Sequence, residues 1–351
     1  MDTSDLTLNL RAYLEAAIGR GLHADIGLIV LAITGECERL ATELSGGDLR
    51  CNPGQIPRAH VANPSGDLQH PLDIAAHDGF VEALTHAPVQ WVLSEEANEP
   101  ITIDPQASFA VAIDPLDGSN NIAINAPVGS IFSILRGISG DEPSAAFLSS
   151  GRQVCAAGVV MYGPATVMAL SVGDGTDLFV LDPTTGDFLR SHSKLLVPSG
   201  TREFAINASN YRHWDPRLRV YIDDLVAGTE GPRGEDFNMR WIAALVADAY
   251  RILRRGGIYL YPSDARVGYA NGRLRLIYEA QPVAFLIEQS GGAAIDMTGP
   301  ILDRQPREFH ERCPLIFGSC DKVDRVADYL VSPRFTGHQS PLFAQRGLFR
   351  S

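Results

Sequence analysis

The sequence predicts a mixed α/β (α+β) fold made of two parts. Strand-like apolar runs alternate with segments of helical spacing toward both ends of the chain. In the middle, apolar runs separated by turns such as Gly173-Asp174-Gly175 predict an antiparallel meander. The chain has 351 residues, 45% of them hydrophobic, so it can bury a core large enough for two domains.

The first part is expected to combine helices with a mixed sheet. Helical spacing of apolar residues predicts helices at residues 6–17, 24–44 and 72–87. Apolar runs predict strands at residues 89–93, 109–113, 129–136, 154–162, 165–171 and 178–182. The Gly-, Pro- and Asn-rich stretch 45–69 is a predicted loop.

The second part is expected to follow a polar linker at residues 191–202. This linker divides the chain into an N-terminal domain (1–195), a C-terminal domain (196–333) and a tail (334–351) whose composition favours disorder. Predicted strands of the second part lie at 204–207, 258–261, 274–278 and 315–317. Predicted helices lie at 242–253, 282–288 and 321–330.

Composition and charge exclude several classes of protein. The net charge of −13 disfavours nucleic acid as a partner, because a phosphate backbone needs a basic surface. No apolar run is long enough to span a membrane, and the first residues lack the basic-then-apolar layout of a signal peptide. The five cysteines are scattered without CxxC spacing, which argues against a disulfide framework or a zinc site and favours the cytoplasm.

The segment Asp114-Pro115-Leu116-Asp117-Gly118 has the strongest chemical signature. It directly follows an apolar strand, and Pro115 favours a tight turn in which the two carboxylates and the Leu116 carbonyl converge. Such hard oxygen ligands suit Mg²⁺ or Mn²⁺. Gly118 allows a positive φ, and the exposed amides beyond it could hold a phosphate. Ser119 and Asn120 are candidate N-caps of a following helix.

Further acids follow or precede neighbouring elements. Glu95 and Glu96 come directly after a buried-type strand, which places them at the edge where ligands collect in α/β sheets. Asp67 and Asp73 are weaker candidates, because Asp73 taken alone is better explained as a helix N-cap.

An Arg-rich strand is predicted in the second part. Strand alternation puts Arg273, Arg275, Ile277 and Glu279 on one side, where guanidiniums and a carboxylate could bind phosphate and metal together. The alternative interpretation is an exposed antiparallel face.

Together these motifs resemble class 1 fructose-1,6-bisphosphatase, within the metal-dependent, lithium-sensitive sugar phosphatase superfamily. The resemblance runs from about Gly66 to Leu330 and includes the ordered segments GDLQHPLD, LSEEANE, AIDPLDGSNNI, FAINASNY, MRWIAALVAD, GGIYLYP and GRLRLIYEAQPVAFLIEQSGG. It implies a layered α-β-α-β-α sandwich of the sugar phosphatase type. A mixed sheet is expected in the first half, and a second sheet with helices in the C-terminal half.

The resemblance also implies roles for individual residues. The Mg²⁺ ligands, for two or three ions with Mn²⁺ as a substitute, are expected to be Glu95, Asp114, Asp117, Glu279 and the Leu116 carbonyl. The acids that activate the attacking water are expected to be Glu96, Asp73 and Asp67. Amides of Gly118, Ser119 and Asn120, beside Asp117, are expected to hold the phosphate being cleaved. Contacts to the sugar and distal phosphate are expected from Asn207, Arg240, Tyr261, Arg273 and Arg275.

The resemblance further implies a cytoplasmic homotetramer acting in gluconeogenesis or the Calvin cycle, with Arg240 reaching across a subunit interface. The chain departs from the family pattern at Arg273, where Lys is usual, and at Trp241, where Tyr is usual. The segment 23–28 lacks the run that binds AMP in many members, so AMP inhibition of the usual kind is not expected.

Other functions stay open at this stage. Sedoheptulose 1,7-bisphosphate, alone or beside the fructose compound, would be cleaved by the same chemistry. An inositol-monophosphatase-like enzyme is disfavoured because its WDxAAG motif is absent. A non-catalytic scaffold is disfavoured because every inferred metal ligand is present.

Overall fold

The structure is a computed structural model that describes residues 8–47, 71–137 and 142–331. The described helices are α1 (Leu10–Gly19), α2 (Ala24–Ser45), α3 (Pro71–Thr85), α4 (Pro143–Phe147), α5 (Pro216–Val226), α6 (Leu245–Arg255), α7 (Gln281–Gln289) and α8 (Cys320–Val331). The strands of the first half are β1 (Trp91–Ser94), β2 (Ile101–Thr102), β3 (Phe109–Asp117), β4 (Val128–Arg136), β5 (Val154–Tyr162), β6 (Val167–Ser171), β7 (Thr176–Leu181) and β8 (Phe188–His192). Those of the second half are β9 (Glu203–Ile206), β10 (Asn238–Met239), β11 (Ile258–Tyr261), β12 (Leu274–Arg275), β13 (Ala293–Ile295), β14 (Arg312–Cys313) and β15 (Leu315–Gly318).

The first sheet has eight strands in the order β2-β1-β3-β4-β5-β6-β7-β8. Among the described strands of this sheet only β1 and β3 pair in parallel, so the sheet is mixed. The predicted antiparallel meander of β5, β6 and β7 is confirmed, and it extends to β3 and β4 on one side and to β8 on the other. Helices α1, α2 and α3 cover one face, where Ile33, Leu40 and Phe80 pack against residues such as Phe132 and Met168.

The second sheet has five strands in the order β10-β9-β11-β15-β13. Helices α6 and α7 lie between the two sheets, and side chains such as Val246, Ile252 and Leu286 fill this middle layer. Helices α5 and α8 cover the outer face through residues such as Leu218, Tyr221 and Val326. The predicted α-β-α-β-α layering is therefore confirmed, and the active-site candidates lie where its middle layer meets both sheets.

One predicted element is wrong. Residues 274–278 are not a continuous strand, because only Leu274–Arg275 is extended and Leu276–Ala280 forms a single π-helical turn that runs into α7. Pro282 gives a physical reason, since it has no N–H to donate to the carbonyl four residues back and its ring crowds that carbonyl. A wider turn accommodates both effects, and such π turns occur often at functional sites.

Some elements were missed or lie outside the described residues. Sequence patterns did not indicate the helices α4 and α5 or the short strands β2, β8, β10, β13 and β14. Most of the predicted loop 45–69 and the tail 334–351 fall outside the described ranges. Among the helices that the structure describes, none combines the length and apolarity needed to cross a membrane.

Candidate active site

The motif around Asp114 lies in an irregularity of β3. Asp114 pairs with Ile131 of β4, whereas Asp117 pairs with Gly129, so three steps on β3 match two on β4. This is a β-bulge, and Pro115 is tolerated there because a ladder hydrogen bond is already missing. The Leu116 N–H donates to Asp114 Oδ1 at 3.1 Å and helps to hold the bulge.

Two glycines make this corner possible. Gly118 has φ of +76°, as its sequence position suggested. A side chain at Gly129 would meet the Val160 carbonyl oxygen at 2.1 Å and Val246 Cγ2 at 2.8 Å. The bare backbone of β4 therefore allows α6 to approach the bulge closely.

Asp117 links the two halves of the chain. Its Oδ2 accepts the Val246 N–H of α6 at 3.1 Å. Ala244, the N-cap residue of that helix, provides no side-chain cap, so Asp117 serves as the cap instead. Asn121 Nδ2 donates to the Ala243 carbonyl at 3.2 Å, just before the same helix. A carboxylate at a helix N-terminus is stabilised by the free amides and the helix dipole.

Glu279 comes to the bulge from the π-helical turn. Its carboxylate accepts the Arg275 backbone N–H, which fixes the turn against the end of β12. Carboxylate oxygens of Asp114, Asp117 and Glu279 all lie within 4.8 Å of one another. These three residues are called the acidic cluster below.

The electrostatics of the acidic cluster favour a bound cation. Burial raises the pKa of Asp117 to about 6, although the Val246 and Leu245 amides oppose the shift. Burial, and then neighbouring carboxylates, raise the pKa values of Asp114 and Glu279 well above their ordinary ranges. Buried carboxylates are costly unless paired, and an all-oxygen donor set fits a hard divalent cation. The residues present therefore fit the magnesium that the sequence implied.

Glu95 lies beside the acidic cluster but not within it. It follows β1, and its N–H donates to the Ile113 carbonyl of β3 at 3.0 Å, so the parallel strand ends bring it to the bulge. Its Oε1 is 3.3 Å from Arg275 Nη2. Burial, opposed by Arg275 and reinforced by Glu96, raises the pKa of Glu95 to about 7.

The other candidate acids flank this site. Buried Asp73, on α3, accepts the Ser119 hydroxyl hydrogen bond at Oδ2, 3.2 Å away. The Glu96 N–H donates to Ser94 Oγ at 3.3 Å, and that hydroxyl is 2.8 Å from His77 Nδ1. Asp67 lies outside the described residues.

The N-cap prediction for Ser119 and Asn120 is wrong. Gly118 occupies the cap position of a short 3₁₀ helix, Ser119–Ile124, without a side-chain bond. The Ser119 hydroxyl instead donates a hydrogen bond to Asp73, because α3 brings that carboxylate within reach.

A buried polar chain supports the bulge from behind. Ser130 Oγ donates to the Pro115 carbonyl at 2.8 Å, so the Tyr162 hydroxyl, 2.9 Å away, must donate to Ser130. Ser130 and Tyr162 are both buried. The sequence does not predict this series of hydrogen bonds, because Ser130 has the pattern of an ordinary strand residue.

A second region, here called the distal pocket, lies at the end of β9 and β11. It is lined by residues that include Asn207, Asn210, Trp214, Tyr261, Asp264, Arg266 and Tyr269. Asn207 Oδ1 accepts from the Ser209 N–H at 3.2 Å and from its hydroxyl at 2.6 Å. Tyr261 belongs to an aromatic stack with Tyr259 and Trp241, the latter two with ring centroids 5.6 Å apart and planes at 13°.

The predicted sugar and phosphate contacts separate into three places. Arg273 lies over the Tyr269 ring, 4.8 Å from its centroid, near the distal pocket. Arg275 is buried beside Glu95, next to the acidic cluster. Arg240 is exposed, at the end of edge strand β10. Sequence reasoning missed Arg266 and Tyr269, whose only sequence signal is a polar loop after the GGIYLYP segment.

Comparisons with known proteins cover almost the whole chain. Residues 54–193 match the family model described as fructose-1-6-bisphosphatase, N-terminal domain, and residues 197–331 match the model of its C-terminal domain. The chain belongs to the fructose-1,6-bisphosphatase family.

Individual relatives of this family agree with that assignment. A class 1 fructose-1,6-bisphosphatase of Rhizobium meliloti is 47% identical, over 97% of this chain and 99% of its own length. That of Acidiphilium cryptum is 50% identical, over 92% of this chain and 90% of its own length. The holo crystal structure of Leishmania major fructose-1,6-bisphosphatase is similar with a TM-score of 0.84 and 31% identity, covering 92% of this chain and 98% of that one.

Proposed function

We propose that this chain hydrolyses the C1 phosphate of D-fructose 1,6-bisphosphate to fructose 6-phosphate and phosphate in the presence of Mg²⁺. The observation that carries the proposal is the acidic cluster, which stands beside the backbone amides following Gly118 in a member of the fructose-1,6-bisphosphatase family. Buried acids next to free amides suit a metal-assisted phosphoryl transfer.

Asp114, Asp117 and Glu279, joined by Glu95 and the Leu116 carbonyl, would hold two or three Mg²⁺ ions, for which Mn²⁺ could substitute. Bound divalent cations supply positive charge against the phosphate and lower the pKa of the attacking water. Arg275, paired with Glu95, contributes a guanidinium at the same end of the site. It could therefore meet the phosphate being cleaved as well as the sugar.

The remaining acids would position and activate the attacking water. Glu96 and Asp73, with Asp67, are proposed to orient it and to accept its proton. Asp73 also fixes Ser119 through its hydroxyl, which aligns the Gly118, Ser119 and Asn120 amides toward the phosphate. No protein nucleophile is needed, because the attacking group is water. The residues of the chain bind the substrate, orient this water and accept its proton.

The distal phosphate and sugar would be held by Asn207, Tyr261 and Arg273. Asn207 already uses its oxygen as an acceptor, so its amide hydrogens are what it can offer to a phosphate. Arg240, exposed beside Met239 and Ile242, is proposed to reach the site of a neighbouring subunit in a homotetramer. Light scattering of the purified chain tests this assembly, and a monomer would contradict it.

We also propose that the enzyme is cytoplasmic and serves gluconeogenesis or the Calvin cycle. Scattered cysteines without close pairing support a reducing compartment.

The decisive experiment measures phosphate release from fructose 1,6-bisphosphate, sedoheptulose 1,7-bisphosphate and fructose 1-phosphate with the purified chain. We expect the highest kcat/KM with fructose 1,6-bisphosphate, and loss of activity in excess chelator with recovery on adding Mg²⁺. Full activity in chelator would contradict the metal requirement. A higher kcat/KM for the seven-carbon compound would reassign the substrate.

A further inference from the structure

The loop between β11 and β12 contains a stack of charged and aromatic side chains. The Arg266 guanidinium lies 3.9 Å from the centroid of the Tyr269 ring, and the Arg273 guanidinium lies 4.8 Å from the same centroid. Both separations are within the range of a cation–π contact, and a planar guanidinium stacks on a ring better than an ammonium does. One tyrosine thus contacts both arginines of this loop region.

Arg266 is held by Asp264 rather than offered to a ligand. Its Nε donates to both carboxylate oxygens of Asp264, at 3.0 and 3.1 Å, and its backbone N–H donates to Oδ1 at 2.9 Å. Asp264 is buried, and hydrogen bonding from Arg266 lowers the pKa of this carboxyl. The charge of Arg266 is therefore compensated, and its guanidinium serves as a fixed platform for the Tyr269 ring.

The backbone of the loop fixes the tyrosine as well. The Tyr269 carbonyl accepts the N–H groups of Asp264, at 3.2 Å, and Gly272, at 3.0 Å. Gly272 has φ of +79°, and a side chain there would meet the Cys313 backbone at 2.2 Å. The loop is consequently clamped at both ends, and the ring has little freedom to leave the stack.

Arg273 differs from Arg266 in its surroundings. It borders the distal pocket, where its charge opposes the rise in the pKa of Tyr261 that burial causes. Tyr261, Tyr269 and Asn207 line that same pocket. An arginine in place of the family's usual lysine has a longer, branched head that needs a surface to orient it, and Tyr269 provides that surface.

We propose that Tyr269, seated on the Asp264–Arg266 pair, is a positioning residue that aligns Arg273 with the distal phosphate of the substrate. This inference rests on the proposed function, since it assigns Arg273 to that phosphate. Selectivity for a sugar bisphosphate over a C1 monophosphate then depends on the stack, while the acidic cluster carries out the chemistry on either compound.

The test compares Tyr269→Leu with Tyr269→Phe, which keeps the ring. Two quantities are measured: the Kd of fructose 6-phosphate by calorimetry, and kcat and KM for fructose 1,6-bisphosphate. We expect Tyr269→Leu to raise both Kd and KM about fivefold to tenfold with a much smaller change in kcat, as for loss of a desolvated cation–π contact. Tyr269→Phe should restore near-normal values. Val267→Ala, in the same loop and fully exposed, serves as the matched control.

A double-mutant cycle shows whether Tyr269 acts through Arg273. In the Arg273→Ala background, Tyr269→Leu should cause little further loss, because the residue that it positions is gone. Additive losses, a Tyr269→Phe variant as weak as Tyr269→Leu, or a fall in kcat without a rise in KM would overturn the proposal. If Tyr269→Leu does not fold, Arg273→Lys replaces it: weaker fructose 6-phosphate binding is expected, and unchanged binding overturns the proposal.

Failure of the underlying function gives a different result. If the unaltered chain does not prefer fructose 1,6-bisphosphate to fructose 1-phosphate, the proposed function itself fails. If it does prefer the bisphosphate and Tyr269→Leu keeps that preference, only the role of Tyr269 fails.

Discussion

The acidic cluster and the distal pocket are built in opposite ways. The acidic cluster brings together two buried carboxylates, Asp114 and Glu279, and the half-buried Asp117, from the end of a strand and a π-helical turn that are distant in the chain. The distal pocket is half-buried and lined by aromatic side chains and Arg266, from the segments 206–214 and 260–269 that continue the adjacent strands β9 and β11.

The acidic cluster and the distal pocket also differ in how their charges are compensated. Burial, and then neighbouring carboxylates, raise the pKa values of Asp114 and Glu279, so the acidic cluster takes up positive charge, as protons or as a bound cation. In the distal pocket Asp264 already compensates Arg266. The comparison agrees with the proposed division of roles, in which the acidic cluster carries out the reaction and the distal pocket selects the substrate.

The largest expected effect follows from Asp117→Asn. The change removes the charge of a proposed metal ligand, and we expect kcat to fall on the order of 1000-fold with fructose 1,6-bisphosphate and fructose 1-phosphate alike. Asparagine keeps an oxygen for the Val246 N–H, so the thermal midpoint should stay close to that of the unaltered chain. Asp117→Ala, which loses this cap, should cost about 1 kcal/mol of stability. Retained activity in either variant would remove Asp117 from the metal site.

The next effect concerns the support behind the bulge. Ser130→Ala removes the partner of the buried Pro115 carbonyl and leaves the Tyr162 hydroxyl with Cys37 alone, which should cost about 1–3 kcal/mol of stability. We also expect weaker Mn²⁺ binding, measured by electron paramagnetic resonance titration, because the bulge carries two of the acids.

Ser133→Ala is the matched control for Ser130→Ala, since Ser133 is buried on the same strand β4. Equal Mn²⁺ affinity in both variants would show that Ser130 has no special link to the acidic cluster.

A smaller effect should distinguish the role of the distal pocket from that of the acidic cluster. Asn207→Ala removes a proposed hydrogen-bond donor to the distal phosphate, and we expect KM for fructose 1,6-bisphosphate to rise about tenfold while kcat changes little. Steady-state kinetics with fructose 1-phosphate should show almost no change in KM. A large fall in kcat with both substrates would mean that the two regions are not separable.

The smallest effect is a pH dependence of metal stabilisation. In the metal-free chain, folded-state pKa values of about 7 for Glu95 and about 6 for Asp117 lie above their unfolded values. The folded state then binds more protons than the unfolded state between about pH 4 and 7, so these groups lower stability as pH rises through this window.

Mg²⁺ competes with those protons, and its stabilising effect should therefore grow with pH. Thermal melts with and without Mg²⁺ should show a larger upward shift of the midpoint at pH 7.5 than at pH 5. An equal shift at both values would place the bound cation away from Glu95 and Asp117. An Asn207→Ala variant should behave like the unaltered chain, which sharpens the contrast between the regions.

Sequence patterns predicted most of the elements and the acidic turn because those features are local. Apolar spacing located α2 and β5 almost to the residue, and the order Asp-Pro-Leu-Asp-Gly predicted convergent carboxylates. The same reasoning failed for residues 274–278, where strand alternation competes with a proline-induced π turn that periodicity does not reveal.

What the sequence determined by itself was the layered α/β fold, the family and the acids of the candidate metal site, since each rests on residue identity in a short segment. Only the tertiary structure decided that Asp117 caps α6, that Arg275 turns toward Glu95 while Arg273 stacks on Tyr269, and that Ser130 supports the Pro115 carbonyl. Except for the stack of Arg273 on Tyr269 within one loop, these contacts join residues that are distant in the chain. Their partners are selected by how the layers pack, and that geometry has no signature in local sequence.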